Sequence, residues 1–497
     1  MTVLLKDTLA WPHVARIAHG EMLELAPNVW ARVEEAGAIV DAIVESGVRA
    51  YGITTGVGAL ADRVVTREQQ AALSRHIVLS HAAGVGPALP KPEVRAIIAA
   101  QINNFAHGKS GVRPDIIRYY LRFLETGLTP VTPSRGSVGY LTHNAAIALV
   151  LIGEGKAELN GEILDGRTAL AKIGLTPLTL RAKEGLSLVN GSACATGLSS
   201  LAVFRMVRLL DWADAIAALT LEAGGAQIDA LSEFAVSVRP SPGSLEVARK
   251  IETSLAGSQL IAAAKGRRTQ DALSLRAIPH VHGAARDVFN AAAGVVNQEL
   301  ASVTDNPFVS GTPDQPHVQS EAHAVAPHLA QAMDSLAIAL AQLSIMSERR
   351  LDRLVNPLVS GLPAFLAQDA GAHSGFMIAQ YTAAGLANEN RRLAMPASVD
   401  GGVTSALQED FLANPTPAVN KLLAAIDNAE YIFAIELLAA AQAQDVVTGQ
   451  GERAAETDRL YREVREKAAV YADDRPLTPD IEALRAMLHA SDWSEHR

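Results

Sequence analysis

From about residue 190 onward, apolar residues recur at helical rather than strand spacing, and over stretches longer than an ordinary helix. Leu422, Ile426, Ala429, Phe433 and Leu437 fall on one face of a segment that starts near Thr416-Pro417 and runs to about Val447. A second stretch runs from about His328 to Val355 and stops at Asn356-Pro357. It carries Arg349, Arg350 and Arg353 near its end, where cations complement the helix dipole. Helices of roughly 25–30 residues span roughly 40 Å or more. Apolar faces of that length are buried by other long helices, so the expected fold is mainly α: an elongated long-helix bundle, with subunits packed along it. Aromatics make up only 4% of the chain while Ala and Leu are abundant, which suits packed helices better than sheets.

The first part of the chain reads differently. Short elements are punctuated by Gly47, Gly52, Gly56, Gly58, Gly84, Gly86, Gly108 and Gly111, a spacing that predicts loops needing unusual backbone angles or close approach. The expected division is a mixed N-terminal domain over 1–190 with active-site loops, and a long-helix bundle with C-terminal helices over 191–497. Between Gly153 and Leu170 a turn-rich excursion predicts a hairpin around Asn160-Gly161. There is no internal repeat, low-complexity tract or obvious linker.

With 497 residues and a net charge of −10, and without a Lys/Arg-rich stripe, the chain is not expected to bind nucleic acid or an anionic membrane. No stretch reaches ~18 uninterrupted apolar residues, so no membrane span is expected. The N-terminus has no signal-peptide pattern. Cys194 is the single cysteine, which excludes an intrachain disulfide and fits a reducing, cytoplasmic setting. The fourteen histidines are scattered without ligand spacing, and no phosphate-binding Gly-Lys-Ser/Thr loop occurs, so neither a metal nor a cofactor is expected.

Several strings stand in a telling order: Tyr51-Gly52-Ile53-Thr54-Thr55-Gly56-Val57-Gly58, Leu79-Ser80-His81-Ala82-Ala83-Gly84, Arg135-Gly136-Ser137-Val138-Gly139, Val189-Asn190-Gly191-Ser192, Gln270 to Arg276, Thr304-Asp305-Asn306-Pro307, Ser374 to Ala384, and Pro396 to Asp400 leading to Gln408-Glu409-Asp410. Together they resemble the aromatic amino-acid (histidine/phenylalanine) ammonia-lyases over about residues 5–450. The resemblance implies a mostly helical homotetramer with active sites shared between subunits. It also implies an elimination: an amine leaves Cα, a proton leaves Cβ, and an α,β-unsaturated acid forms.

Family members drive that reaction with an electrophilic ring, MIO, cyclised from their own Ala-Ser-Gly after Gly-Ser-Val-Gly. Here Gly139 is followed by Tyr140-Leu141-Thr142-His143, as if those three residues were deleted, so no ring is expected. The other family positions are matched. Tyr51 matches the catalytic tyrosine, the base for the Cβ proton, whose ordinary pKa near ~10 its surroundings must lower. Arg276 matches the arginine that grips the substrate carboxylate, Asn190 an active-site asparagine, and His81 a histidine of the ring pocket. Glu409 matches the glutamate of the histidine-specific branch, where a carboxylate stabilises an imidazolium and so acidifies the adjacent Cβ proton. Met377 falls in the stretch that lines the ring pocket. Tyr140 occupies the vacated position and is expected to contact substrate. Leu273 replaces a second family tyrosine, which predicts a more apolar pocket there.

A quaternary trimethylammonium needs no electrophile to leave. The pattern is therefore similar to ergothionase, the MIO-free branch, and the expected reaction removes trimethylamine from a histidine-derived betaine, hercynine or ergothioneine. The alternatives are an ordinary histidine ammonia-lyase and an inactive binding scaffold of the same fold. At single residues the plainer readings are a packing tyrosine at Tyr51, a structural ion pair of Arg276 with Glu409, an ordinary histidine at His81, space-filling by Tyr140, Thr142 and His143, a buried apolar residue at Cys194, and a turn at Asp305-Asn306-Pro307.

Overall fold

The expected long helices form. In the computed structural model, which describes residues 2–447, 451–491 and 493, helices span Ala193–Ala223, Ile278–Leu300, Pro327–Val355 and Pro415–Val446. The 32-residue helix Pro415–Val446 buries Leu422, Ile426, Ala429, Phe433 and Leu437 completely or nearly so, the face its sequence period defines. Two segments, Glu184–Ala223 and Pro327–Val355, are long and apolar enough by composition to cross a bilayer, but 78% and 61% of their apolar windows are buried inside the protein. Packing against the rest of the chain satisfies that apolar surface.

Strands are short and confined to small two- or three-stranded sheets. The hairpin expected around Asn160-Gly161 is present. Lys156–Leu159 pairs antiparallel with Glu162–Asp165, Leu159 opposite Glu162. Asn160 and Gly161 take φ of 53° and 82°, the two left-handed residues that a tight hairpin turn requires.

The chain forms two compact units. The first comprises Met1–Phe204, Ala292–Met333 and Pro396–Asn420, and the second Arg205–Ala291, Asp334–Met395 and Lys421–Arg497. The first unit buries a cluster of Ala36, Ile39, Val40, Ile43, Ala50, Ile53 and Val309. Each larger aliphatic in it contributes roughly 1.5–3 kcal/mol relative to exposure. That cluster ends at Ala50 and Ile53, so it holds both ends of the loop bearing Tyr51.

The second unit has an aliphatic core that includes Leu221, Val247, Ile251, Leu275 and Ile278. It also contains a buried polar network. The Arg350 guanidinium spans both oxygens of Glu436 at 2.6 and 2.9 Å, and Thr220 donates to Glu436 at 2.8 Å. His282 sits between Asp214, 2.7 Å from its Nδ1, and Arg350, 3.3 Å from its Nε2.

Candidate active site

Three helices of the first unit, Arg67–His81, Thr142–Leu151 and Glu184–Val189, pack on one another, and their ends present side chains to one place. A Cβ on Gly185 would stand 2.1 Å from the Ser74 carbonyl oxygen, so only glycine allows this approach. His81 closes the first helix. Tyr140 and Leu141 precede the second, with the Leu141 N–H donating to the Val189 carbonyl at 3.0 Å. Asn190 caps the third.

The loop carrying Tyr51 is tied down locally. The Ala50 carbonyl accepts from the N–H groups of Ile53, Thr54 and Thr55 at 3.0–3.2 Å, and the Thr54 hydroxyl donates to the Val48 carbonyl at 2.7 Å. Tyr51 then folds back across its own loop, and its hydroxyl oxygen accepts from the Gly58 N–H at 2.9 Å. Glu409 lies on a second loop, pinned by an antiparallel bridge to Thr404, whose hydroxyl donates to the Glu409 carboxylate at 2.9 Å.

These loops and helix ends enclose a cavity of about 1110 Å³ lined by Tyr51, His81, Tyr140, Asn190 and Glu409, among others. The lining carries four carboxylates, Asp62, Glu321, Glu409 and Asp410, against one arginine, Arg49, which is ion-paired with Asp62. The cavity therefore attracts cations.

Burial, with the Glu409 charge beside it, shifts the titration of the residues around this cavity. Burial, then the Glu409 and Tyr51 charges, push the Tyr140 phenol up to about 12. Burial also raises Tyr51, the Gly58 N–H partly offsets this, and the Glu409 charge adds to it. This corrects the expectation of a lowered tyrosine: within this chain the surroundings of Tyr51 favour the phenol over the phenolate. Burial holds the His81 imidazole below its ordinary range, although the Ile77 carbonyl and Glu409 both favour its charged form. The His81 Nδ1 lies 2.8 Å from the Ile77 carbonyl, which fixes the proton on Nδ1 and leaves Nε2 as an acceptor.

The other expected site residues are placed elsewhere. Arg276 and Met377 belong to the second unit and are not among the residues lining this cavity. Arg276 makes no ion pair among the described residues, and its Nε is buried without a partner. Leu273 is 63% exposed. Among the described residues, no three His, Cys, Asp or Glu side chains are grouped to hold a metal.

The segment after Gly139 does not fit a self-made MIO ring. The nearest serine, Ser137, is flanked by Gly136 and Val138. Its hydroxyl accepts from the Gly139 N–H and donates to the Tyr140 carbonyl, both at 3.2 Å. Tyr140 and Leu141 follow Gly139 directly, Tyr140 with its side chain buried and Leu141 at φ 70°.

Sequence reasoning missed Lys183 and reduced Asp305 to a turn. Both are fully buried, and they contact each other at 2.9 Å. The string Lys183-Glu184-Gly185 reads as a solvated helix start, and nothing local reveals that the lysine points inward.

Comparison with known proteins gives one consistent answer. The aromatic amino acid lyase family model matches residues 9–466. A histidine ammonia-lyase of Symbiobacterium thermophilum is 43% identical over 485 residues, covering 97% of this chain and 95% of that protein. The crystal structure of histidine ammonia-lyase from Trypanosoma cruzi is 33% identical and superposes with a TM-score of 0.92, covering 100% of this chain and 94% of that one. The ergothionase structure from Treponema denticola also superposes at 0.92, with 29% identity and 98% of each chain covered. These relatives overturn the expectation of trimethylamine elimination from hercynine or ergothioneine. The greater identity is to proteins named histidine ammonia-lyase, and the missing tripeptide alone does not outweigh it.

Proposed function

The chain belongs to the aromatic amino acid lyase family, and we propose that it is a histidine ammonia-lyase, converting histidine to urocanate and ammonia. The observation that carries this reading is the Glu409 carboxylate facing Tyr51, Tyr140 and His81 in one acceptor-rich cavity. Histidine offers that cavity an imidazole N–H and an α-ammonium, both donors.

In the proposed reaction Glu409 accepts from the imidazole N–H and stabilises its positive form. The Cβ–H bond then breaks more readily. Tyr51, as the phenolate left once its own proton has passed to solvent, takes the Cβ proton, the electron pair forms the Cα=Cβ bond, and the Cα–N bond breaks with the ammonium leaving as neutral ammonia. Tyr51 needs a cation nearby to ionise, and the bound substrate brings its own positive charge. His81 and Tyr140 hold the ring. Residues 139–142 do not fit a self-made electrophile, so no step of this proposal passes through one.

Arg276 and Met377 complete the proposal as residues contributed by a neighbouring subunit of a homotetramer. Arg49, the one arginine lining the cavity, is already paired with Asp62, so the substrate carboxylate needs a cation from outside the lining. Ile378 and Tyr381, 63% and 68% exposed on the helix that Met377 begins, form an apolar surface suited to a subunit contact. A cytoplasmic setting is part of the same reading.

The test is turnover. The purified protein is incubated with L-histidine, and separately with phenylalanine and with a trimethylated histidine betaine. The reading expects urocanate and ammonia from histidine. Trimethylamine from the betaine with no turnover of histidine would overturn it.

A further inference from the structure

The Lys183 side chain has no exposed surface, and its backbone is left-handed at φ 67°, where a side-chain-bearing residue is strained. Its ammonium donates three hydrogen bonds, to the Ser110 carbonyl at 2.7 Å, the Ser187 hydroxyl at 2.8 Å and Asp305 Oδ2 at 2.9 Å. All three protons are used. A buried ion pair is a costly way to fill space, and apolar residues of similar volume often serve stability as well or better. Its position points to another use.

Asp305 has a second oxygen. Oδ1 faces the Asn190 side-chain amide at 3.5 Å, and the Asn306 carbonyl accepts from the same Nδ2 at 2.6 Å. Both neighbours are acceptors: one is a backbone carbonyl, and the other is the carboxylate that Lys183 contacts through its other oxygen. The side of the Asn190 amide that meets them must be the NH₂. Its carbonyl oxygen is thereby turned the other way, and Asn190 is one of the residues lining the cavity.

We infer that Lys183 and Asp305 are positioning residues that lock the Asn190 amide in one orientation, so that its carbonyl oxygen faces the cavity as the acceptor for the substrate's α-ammonium. This rests on the reading of the cavity as a histidine site. It assigns the ammonium to Asn190, the imidazole to Glu409 and His81, and leaves the carboxylate to Arg276. It also accounts for a buried charge behind an uncharged side chain: a neutral partner at 305 could donate as well as accept, and would leave the Asn306 carbonyl alone to hold the amide.

The experiment compares two ligands that differ only in the amine, histidine and its desamino analogue 3-(imidazol-4-yl)propanoate, in wild type and Asp305→Asn. Loss of a charge-directed hydrogen bond should raise the KM for histidine roughly 10–100-fold, while the inhibition constant of the analogue stays within about 2-fold. Equal weakening of both ligands, or of neither, overturns the inference.

Asn190→Asp leaves the Lys183–Asp305 pair itself intact and guards against misfolding of the first variant. It puts an acceptor where a donor is needed, so its histidine KM should be raised at about pH 8. Relative to wild type it should recover toward about pH 6, where one carboxyl takes up a proton and donates to the other. No recovery relative to wild type counts against the inference. Calorimetric binding of the analogue to wild type separates the two claims. If wild type neither binds it nor turns over histidine, the functional reading fails first.

Discussion

The Tyr140 phenol and the Glu409 carboxylate line one cavity, and burial together with that charge pushes the phenol up to about 12. The same carboxylate also acts on Tyr51 and His81, adding to the effect of burial on Tyr51 and opposing it on His81.

Replacing Glu409 by Gln removes the charge and keeps the shape. Catalytic efficiency toward histidine should fall roughly 10–100-fold, the range for losing a charge-assisted hydrogen bond. The acid-side limb of the pH–rate profile, which follows ionisation of the Tyr51 base, should move to lower pH, because the Glu409 charge is one of the causes that raise Tyr51. A profile that shifts upward or stays in place would separate Glu409 from the base.

The shared-site proposal makes a complementation prediction. Tyr51→Phe and Arg276→Gln should each be nearly inactive alone. Unfolded together and refolded as mixed assemblies, they should regain part of the activity, since some sites would take an intact Tyr51 from one subunit and an intact Arg276 from another. No recovery in mixed assemblies would place Arg276 outside the site.

Burial pushes the imidazoles of His107, His143 and His282 below their ordinary range. Their folded pKa is depressed, so between that value and about 6.5 the unfolded chain binds more protons than the folded one. Stability is then fully expressed above about pH 6.5 and declines as pH falls below it. Thermal unfolding should show a midpoint that is flat from about pH 8 to 7 and drops toward pH 5.5.

The Arg350–Glu436 pair, 1% and 0% exposed, is a separate stability test. Glu436→Ala leaves an uncompensated guanidinium in the bundle and should cost about 3–5 kcal/mol in denaturant unfolding. A loss under about 1 kcal/mol would mean that water or another acceptor reaches Arg350.

Much of the fold is legible in the chain because its signals are local and repeated. The apolar face through Leu422 and Leu437 and the turn at Asn160-Gly161 each rest on spacing within one element. Site residues on glycine-bounded loops, Tyr51 above all, are legible by motif, and the structure brings Tyr51, His81, Tyr140, Asn190 and Glu409 around one cavity. Three things were not legible. The raised pKa of Tyr51 comes first from burial, with a further push from Glu409, which is more than three hundred residues away. The inward turn of Lys183 follows from a left-handed backbone that its sequence does not announce. The leaving group was inferred from a three-residue gap, whereas similarity along the whole chain points to ammonia.

The most direct test joins turnover to covalent state on one sample. Intact mass is measured first, and then urocanate and ammonia are followed with L-histidine as substrate. The account predicts a mass equal to that of the unmodified chain, with urocanate and ammonia formed in equal amounts. A mass short by two waters would show a self-made ring after all. An unmodified protein that leaves histidine untouched would contradict the proposed function.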